Sequence, residues 1–506
     1  MLSFRQTKQA ILATIGTSLA INIIGDAGVG KTQMVRGIAK ENQWNMIEIT
    51  ASNLKEGELS FPMLTKNRFD ESLIFYAPHH SIVKAQQYYL DWTRYKNKEF
   101  NPYTKEDLEL ASLGRLEEVA TERGIKSKYS DREELIHAIL DTVDTNYKVH
   151  KFEELAEKTD KQLDTIYMEN MVVAPPEDMS RYKIIESIME RQPKERTVYF
   201  VDEVGRMAPE VGSEMMNFIL DKQVNGNKLP PNVVFITAQN PSKNHAGYED
   251  SMYDTVEMDP ATASRLFHIS MRPTFEDWVK YASEKDHVND RQMVHQVVIE
   301  FISEATSKRL FVPADANYTG TNSTNPRSWK HVSDLIYNIE ANPGILSGDD
   351  KRQIVTEIVS GKIDASISKE FMDYYFEKRN PLPTPKEIFG EKLNKKNLDV
   401  KMGERIENES NDRKLVLSLN LIEFLSTEGN SNKNTSKVFA QVLSKFDKDL
   451  MLHPMIKVTE FSPQSRKSHS LTTAQEKFYN DITNEDIYLD LYHDVYSVTK
   501  NLKDND

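Results

Sequence analysis

One eight-residue segment near the start of the chain constrains its fold more than any other part of the sequence. Residues 25–32 read Gly-Asp-Ala-Gly-Val-Gly-Lys-Thr, and they follow an apolar run at positions 19–24. A G-x-x-x-x-G-K-T sequence between a strand and a helix is typical of a phosphate-binding loop, because its glycines let backbone N–H groups turn inward around a triphosphate. The sequence therefore predicts an α/β nucleotide-binding fold.

The loop supplies the predicted ligands of the nucleotide. We expect Lys31 to bind the β and γ phosphates as a mobile cation and the Thr32 hydroxyl to ligate Mg²⁺. The helix that follows directs its positive end toward the same anion. The complete set of candidate binding residues is Gly25, Asp26, Ala27, Gly28, Val29, Gly30, Lys31, Thr32 and Gln33.

Two later segments supply candidate catalytic groups. Positions 197–203 form an apolar run that ends in Asp202 and Glu203, which resembles the Walker B strand of nucleotide hydrolases. We expect Asp202 to hold Mg²⁺ through its water shell and Glu203 to orient and polarise the attacking water. A second apolar run, at 233–238, ends close to Asn240. An amide at that strand tip can hold the water, so Asn240 is a candidate sensor of the nucleotide state.

Length and composition define the class of protein. The chain has 506 residues, with 64 Lys and Arg against 78 Asp and Glu, and a formal net charge of −14. This length favours three or four domains. The charge repels a polyanion unless basic residues cluster locally, so we do not expect sequence-independent binding to duplex DNA. The chain has no cysteine, which excludes disulfides and thiolate sites and agrees with a cytoplasmic protein. No apolar segment is long enough to predict a membrane span.

Alternating strands and helices predict an α/β core. Apolar runs at 19–24, 46–50, 73–76, 197–201 and 233–238 predict a parallel sheet covered by helices on both faces. We predict that residues 1–84 and 172–275 form the two parts of this core, 85–171 a helical insertion, 276–380 an α-helical lid and 381–506 a mainly helical C-terminal region.

The order of these motifs resembles a known family. The phosphate loop, the Asp-Glu strand followed by Gly205 and Arg206, a hairpin ending at Leu229-Pro230 and the strand tip 237–241 are similar to those of the MoxR-type, helix-2-insert branch of AAA+ ATPases. The resemblance implies a P-loop AAA+ core, Mg²⁺-dependent hydrolysis of ATP and a homo-oligomer in the form of a hexameric ring. It also implies chaperone-like remodelling of a protein partner, such as a von Willebrand factor A-type protein.

Two arginines enter the candidate site only through this resemblance. Residues 258–267 are similar to the segment whose arginine reaches into the neighbouring subunit, which makes Arg265 a candidate arginine finger. Residues 325–329 resemble the second sensor at the start of a lid helix, which makes Arg327 a candidate contact of the γ phosphate. Here Leu266 takes the place of the Phe that directly follows the arginine in the family. Solvated surface arginines are the alternative interpretation at both positions.

The insertion leaves two functions open. Within it, residues 113–125 and 132–140 have the helix, turn and helix spacing of SAP or Rho N-terminal modules, which often contact nucleic acid. Residues 104–142 hold six basic and ten acidic side chains, however, and this balance disfavours phosphate contacts. The alternatives are a nucleic-acid motor or loader that grips DNA or RNA through this module, and a protein-docking or structural helical hairpin.

An apolar stripe lies near the carboxyl end of the sequence. Ile487, Leu491, Val495 and Val498 repeat at helical spacing on an otherwise charged segment. Such a stripe indicates packing against the core of the same chain, and docking to another subunit or partner is the alternative.

Overall fold

The computed structural model describes residues 1–17, 19–66, 72–125, 131–246, 248, 253, 258, 263–286, 289, 291–305, 309–311, 324–346, 350–378, 381–463 and 471–503. They belong to two compact units. The first comprises residues 1–2, 6–26 and 31–271, and the second comprises 3–5, 27–30 and 272–506. In these described ranges, no helix combines the length and the apolar composition needed to cross a membrane.

A five-stranded sheet forms the centre of the first unit. Its spatial order is β2-β5-β8-β1-β9, and all four pairings are parallel. The predicted α/β core with a parallel sheet is therefore confirmed. The strands of the described residues are β1 (Ala20–Ile24), β2 (Asn45–Thr50), β3 (Ser60–Lys66), β4 (Ser72–Pro78), β5 (Thr197–Asp202), β6 (Gln223–Val224), β7 (Asn227–Lys228), β8 (Val233–Gln239), β9 (Leu266–Ser270), β10 (Lys285–Asp286) and β11 (Arg291–Gln292).

The prediction that five apolar runs form the parallel sheet was wrong for one of them. The apolar run 73–76 belongs to β4, which pairs with β3 as an antiparallel hairpin and does not join the parallel sheet. Its composition is that of a buried strand, yet Ile74 is 62% exposed. The fifth strand of the sheet is β9, where buried Leu266 and Ile269 flank exposed His268. As an edge strand, β9 is only partly covered, so its sequence lacks the continuous apolar run that marks a central strand.

Helices cover both faces of the sheet, as predicted. On one face, Tyr199 and Phe235 pack with Ile82 of α3 and Phe218 of α10. The neighbouring residue Phe200, which points to the opposite face, is fully buried as well, and α2 contacts β2, β5 and β8. The helices up to residue 271 are α1 (Phe4–Thr14), α2 (Lys31–Glu41), α3 (His80–Lys96), α4 (Lys105–Leu110), α5 (Leu113–Glu122), α6 (Arg132–Leu140), α7 (Phe152–Ala156), α8 (Asp160–Met171), α9 (Arg181–Arg191) and α10 (Pro209–Asp221).

The strand order places a crevice at the carboxyl ends of β1 and β8. The chain leaves β1 toward the β2 edge of the sheet, whereas it leaves β5 and β8 in the opposite direction. Right-handed crossovers therefore carry the connections after β1 and β8 to opposite faces. In open α/β sheets, ligands bind at such a point, outside the carboxyl ends of the strands. The phosphate loop follows β1 and so begins at this crevice.

The inserted segment is helical and contributes to two small cores. Leu116 and Ile139 belong to one cluster, formed mainly by α4, α5 and α6. Leu163 of α8 belongs to another, which it shares with α7 and with Ile188 of α9, beyond the predicted end of the insertion. Helices α5 and α6 contact each other and correspond to the two predicted helices of the module. Residues 126–130 of the turn between them lie outside the described residues.

The second unit is mainly helical around one large core. Its last helix carries the predicted apolar stripe: Val495 is buried, Ile487 and Leu491 pack against the core, and the side chain of Val498 lies outside the description. The stripe therefore packs within its own chain. The helices after residue 271 are α11 (Phe275–Ser283), α12 (Gln296–Ser303), α13 (Pro326–Ala341), α14 (Lys351–Ser360), α15 (Ala365–Asp373) with a π-helical turn at Tyr374–Lys378, α16 (Pro385–Phe389), α17 (Val400–Glu407), α18 (Asn411–Leu425), α19 (Lys433–Leu443), α20 (Lys448–Thr459), α21 (Thr473–Thr483) and α22 (Asp486–Lys503).

Candidate nucleotide-binding site

The phosphate loop joins the end of β1 to the start of α2. Gly28 and Gly30 have φ angles of 78° and 92°, in the left-handed region that glycine adopts without strain. The Gly25 N–H donates to Gln239 O at 3.3 Å, which extends the β1–β8 ladder to the first residue of the loop. Two residues with positive φ in so short a segment turn successive backbone N–H groups toward one side, as anion binding requires.

Lys31 lies at the crevice between β1 and β8. Its Nζ donates hydrogen bonds to Gly25 O at 2.6 Å, Asp26 O at 2.9 Å and Asn240 Oδ1 at 3.1 Å. The residue is only 8% exposed, and a buried ammonium needs such acceptors to offset the loss of water. The structure thus brings together Lys31 and Asn240, which the sequence predicts to act at the terminal phosphate.

Thr32 and Asp202 form an oxygen pair next to this lysine. Thr32 Oγ1 donates to Asp202 Oδ2 at 2.9 Å. A hydroxyl and a carboxylate are hard oxygen donors, the kind that Mg²⁺ prefers, so the pair fits the predicted metal. In the described part of the chain, no group of three or more His, Asp and Glu side chains could hold a metal ion. Mg²⁺ usually keeps several water molecules and binds nucleotide oxygens in addition to one or two protein ligands, which fits a pair of this kind.

Glu203 adopts a backbone conformation that few residues with a side chain tolerate. Its φ and ψ are 59° and 34°, in the left-handed region, which costs a non-glycine residue about 1–2 kcal/mol. The Glu203 N–H donates to Asp202 Oδ1 at 2.9 Å. Strain of this kind is retained at functional sites where the surrounding structure fixes it. Here it turns the Glu203 side chain away from the direction that a continuing strand would give it.

Ser52 is a contact of Glu203 that sequence reasoning missed. Its Oγ donates to Glu203 Oε2 at 2.6 Å, and Arg206 Nη1 lies 3.7 Å from Glu203 Oε1. In the structure, Thr50 at the end of β2 pairs with Asp202 at the end of β5. Residues just after two paired parallel strands lie close together, but this pairing could not be read from the sequence alone.

Arg265 lies at the amino ends of the strands, on the opposite side of the sheet from the phosphate loop. It is exposed and directly precedes Leu266, which starts β9 and pairs with Ala20 at the start of β1. The phosphate loop follows the carboxyl end of β1, so the length of a strand separates Arg265 from its own loop. Of the segment that resembles a finger region, residues 259–262 lie outside the described residues. The structure does not bring Arg265 to Lys31 of the same chain.

A chain of polar contacts crosses the three strands β8, β1 and β9. Thr237 Oγ1 donates to Asn22 Oδ1 at 2.9 Å, and Asn22 Nδ2 lies 3.2 Å from His268 Nδ1. The other ring nitrogen of His268 lies 2.9 Å from Ala263 O. These distances fit an imidazole that accepts from Asn22 through Nδ1 and donates to Ala263 O through Nε2. The contacts fix the register of β1 between β8 and β9, and they hold the turn that carries Arg265.

Arg327 belongs to the second unit, where it lies close to Gly28. A Cβ atom placed on Gly28 would lie 2.4 Å from Asn325 Oδ1 and 3.1 Å from the Cβ of Arg327. Asn325 caps α13, since its side chain accepts from the Ser328 N–H at 3.1 Å. The start of α13 therefore packs directly on Gly28, and Arg327 extends from that point as an exposed side chain.

We expect Gly28→Ala to weaken ATP binding by about tenfold or more, because a side chain here combines left-handed strain with a clash against Asn325. The measurement is titration with a fluorescent ATP analogue. Gly37→Ala is the matched control: Gly37 lies inside α2 with open space around it, so alanine should leave affinity unchanged and stabilise the helix. Adding Asn325→Gly should restore part of the affinity lost in Gly28→Ala. Wild-type affinity in the single variant would show that this close approach does not matter.

Three solved structures that resemble this chain share 11–13% of its sequence. No protein-family model and no curated protein matches the chain. A candidate ATPase of Cytophaga hutchinsonii is 11% identical over 74% of this chain and 81% of that chain, with a TM-score of 0.25. NtrX of Brucella abortus is 12% identical over 90% of this chain and 68% of that chain, with a TM-score of 0.25. NtrX in complex with ATP is 13% identical over 83% and 63%, with a TM-score of 0.27. The assignment of function therefore rests on the residues and geometry of this chain.

Proposed function

We propose that the chain is an oligomeric, Mg²⁺-dependent ATPase of the MoxR-type AAA+ branch that remodels or activates a protein partner. The observation that carries this proposal is the convergence of two pairs: Lys31 Nζ lies 3.1 Å from Asn240 Oδ1, and Thr32 Oγ1 lies 2.9 Å from Asp202 Oδ2. A cation for phosphates, an oxygen pair for a metal and an amide for water thus meet at one edge of the sheet. Phosphoryl transfer depends mainly on such positioning and charge compensation.

Each of these groups has a distinct part in the proposed reaction. Lys31 binds the β and γ phosphates, and Asn240 positions the water near the γ phosphate. Thr32 and Asp202 would hold Mg²⁺, which when bound would compensate charge on the phosphate oxygens. Glu203 orients and polarises the attacking water, with its carboxylate fixed by Ser52. The sequence has no N-K-x-D element of the kind that reads guanine, so we propose ATP as the substrate.

The position of Arg265 supports a site shared between subunits. Five residues of β1 separate the level of Arg265 from the phosphate loop, which corresponds to about 16 Å along a strand. An arginine side chain does not span that distance within one chain. In an assembly with repeated head-to-tail contacts, the face of one subunit that carries Arg265 would meet the face of the next subunit that carries the phosphate loop. There Arg265 would stabilise the charge that spreads over the departing γ phosphate.

In the second unit, the geometry favours a role for Arg327 at the nucleotide. Its helix begins against Gly28 of the phosphate loop. We propose that the exposed guanidinium contacts the γ phosphate, as the resemblance to a second sensor implies.

Charge pairing in the inserted module favours a protein partner over nucleic acid. DNA and RNA binding requires basic side chains that are available to phosphates. The described basic residues of this module are instead engaged in contacts that join Arg115 to Glu118 (3.1 Å), Arg123 to Asp144 (3.2 Å), Lys105 to Glu109 (3.6 Å) and Arg132 to Glu109 O (2.9 Å). Lys126 and Lys128 lie outside the described residues.

The β3–β4 hairpin offers a surface suited to protein. Its apolar side chains are exposed on both strands; Leu64, for example, is 82% exposed and Ile74 is 62% exposed. Exposed apolar patches mark sites of protein interaction, whereas phosphate backbones gain little from apolar contact. We propose that this hairpin contacts the protein partner that the ATPase remodels.

Mixing of two inactive variants tests the shared site. We expect Arg265→Ala and Glu203→Gln each to release phosphate from ATP at least about 10²-fold more slowly than the wild type. Mixed in equal amounts under exchange conditions, they should recover about one quarter of wild-type activity, because one half of the sites obtain Glu203 and one half of those obtain Arg265 from the neighbour. The measurement is steady-state phosphate release with Mg²⁺, and with EDTA as the metal-free control.

Arg94→Ala, which removes an exposed arginine of α3, is the matched control and should remain fully active. Failure to recover activity at every ratio, with subunit exchange demonstrated by a labelled chain, would contradict the shared site. Absence of phosphate release from the wild type with Mg²⁺ would overturn the ATPase proposal itself. Stimulation of turnover by DNA or RNA at moderate salt, with none by protein, would favour a nucleic-acid motor.

A further inference from the structure

A cavity of about 200 Å³ lies in the first unit at the amino ends of β2 and β5. It is lined by the turn before β2, the end of α3, Val149, and the segment from Met189 of α9 to the residues just before β5. Its lining includes Trp44, Trp92, Tyr95 and Lys194. The nucleotide site lies at the carboxyl ends of the same strands, so none of these residues takes part in the proposed hydrolysis.

Aromatic rings give the cavity flat apolar walls. The rings of Trp92 and Tyr95 lie 5.6 Å apart between centroids, and Trp44 contributes a second indole. Aromatic surfaces of this kind bind another ring by stacking or edge contact, with a gain beyond simple burial. The preferred occupant of the cavity is therefore a ring.

The charges around these rings favour an anion. Arg196 Cζ lies 5.2 Å from the ring centroid of Trp44, and Lys96 Nζ lies 5.5 Å from that of Trp92. Both indoles thus already have a cation at one face. A quaternary ammonium, the other common ligand of aromatic cages, would meet like charges here. Glu195, the acidic residue of the lining, is exposed.

Lys194 is the cationic residue of the cavity lining. Burial lowers the pKa of its ammonium, and Glu190 opposes that shift only in part. The described residues provide no hydrogen bond or ion pair to this amine. A charged group removed from water is stabilised when an opposite charge joins it. An anion in the cavity would therefore be held by Lys194.

We propose that this cavity binds an aromatic carboxylate, with its ring against Trp44, Trp92 and Tyr95 and its carboxylate at Lys194. At about 200 Å³, the cavity is smaller than the ~300 Å³ at which pockets for drug-sized ligands begin. Its occupant is therefore one ring with a short acidic chain. Two sources share this chemistry: a free aromatic acid, and a Phe or Tyr residue at the carboxyl terminus of a peptide.

Intrinsic fluorescence provides a direct test with 3-phenylpropionate as the probe. The chain has four tryptophans; Trp278 and Trp329 are 4% and 0% exposed, and the other two line the cavity. We expect 3-phenylpropionate to cause a saturable change in the long-wavelength tryptophan emission of the full chain, measured without nucleotide. Lys194→Met should weaken binding at least about tenfold, because it removes a charge-assisted contact. Lys433→Met, the same change at an exposed lysine of α19, should bind like the wild type.

Further probes distinguish an acidic ligand from neutral and cationic ones, and a free acid from a peptide terminus. Neutral 3-phenylpropanol and cationic phenyltrimethylammonium should bind at least about tenfold more weakly than the acid. A short acetylated peptide ending in Phe with a free carboxylate should bind more tightly than the free acid if a peptide terminus is the natural source, and its amide should not bind. Trp92→Ala, with Trp44 as the remaining reporter, gives a second variant that should lose affinity. Absence of saturation, equal binding of the cation, or unchanged affinity in both variants would overturn the proposal. Since no nucleotide is present, these results are independent of the ATPase proposal.

Discussion

Lys31→Ala should lower the affinity for ATP by at least about 10²-fold. The wild-type ammonium is held between Gly25 O, Asp26 O and Asn240 Oδ1, and this position allows it to bridge two phosphates. Each charge-assisted hydrogen bond to such a group contributes about 1.5–3 kcal/mol, and about 1.4 kcal/mol corresponds to a factor of ten. Titration with a fluorescent ATP analogue, with calorimetry as a second method, measures the change.

The control for this variant is Lys40→Ala. Lys40 lies near the end of the same helix, where it is exposed, so its loss removes one charge without touching the phosphates. Circular dichroism and thermal unfolding of both variants without nucleotide establish that the fold is retained. If ATP bound Lys31→Ala as tightly as the wild type, the assignment of the phosphate loop would be wrong.

Glu203→Gln should separate ATP binding from hydrolysis. The amide keeps the size of the side chain, and its carbonyl oxygen can still accept from Ser52, which donates to Oε2 at 2.6 Å in the wild type. The amide cannot polarise water as a carboxylate does, so phosphate release should slow by about 10²-fold or more while ATP affinity changes little. Single-turnover phosphate release and nucleotide titration give the two quantities separately.

Glu210→Gln is the matched control, since Glu210 is an exposed acid in the first turn of α10 and has no proposed part in the reaction. The slowed Glu203→Gln enzyme should also retain its protein partner in the presence of ATP, which a pull-down can detect. Near-normal hydrolysis would transfer the water-orienting role to another residue. Loss of ATP binding as well would mean that Glu203 supports the site rather than the chemical step.

The sequence predicted those parts of the fold and site that depend on local pattern. The phosphate loop has a fixed spacing of glycines, lysine and threonine, and the strand before Asp202 is a continuous apolar run. Parallel packing of such runs leaves their carboxyl ends at one edge of the sheet. That argument brings Lys31, Asp202 and Asn240 together, because Asp202 ends β5, Asn240 directly follows β8, and the loop that leads to Lys31 follows β1.

Features that depend on tertiary context could not be predicted in this way. Apolar runs at β4 and β8 look alike in sequence, but one forms an exposed hairpin and the other a central strand. The contact of Ser52 with Glu203 requires knowledge of which strands are neighbours. The left-handed conformation of Glu203 has no local signal, since no glycine marks it.

The polar contacts from Thr237 through Asn22 to His268 have a consequence for how the protein moves. They tie the strand that leads to Asn240, the strand that leads to the phosphate loop and the strand that follows Arg265. A shift of one residue between any two of these strands would reverse the facing of every side chain and break the contacts. We therefore expect β8, β1 and β9 to move together as one rigid body. If departure of the γ phosphate displaced one end of these strands, their other end would move as well, because no strand would slide past its neighbour.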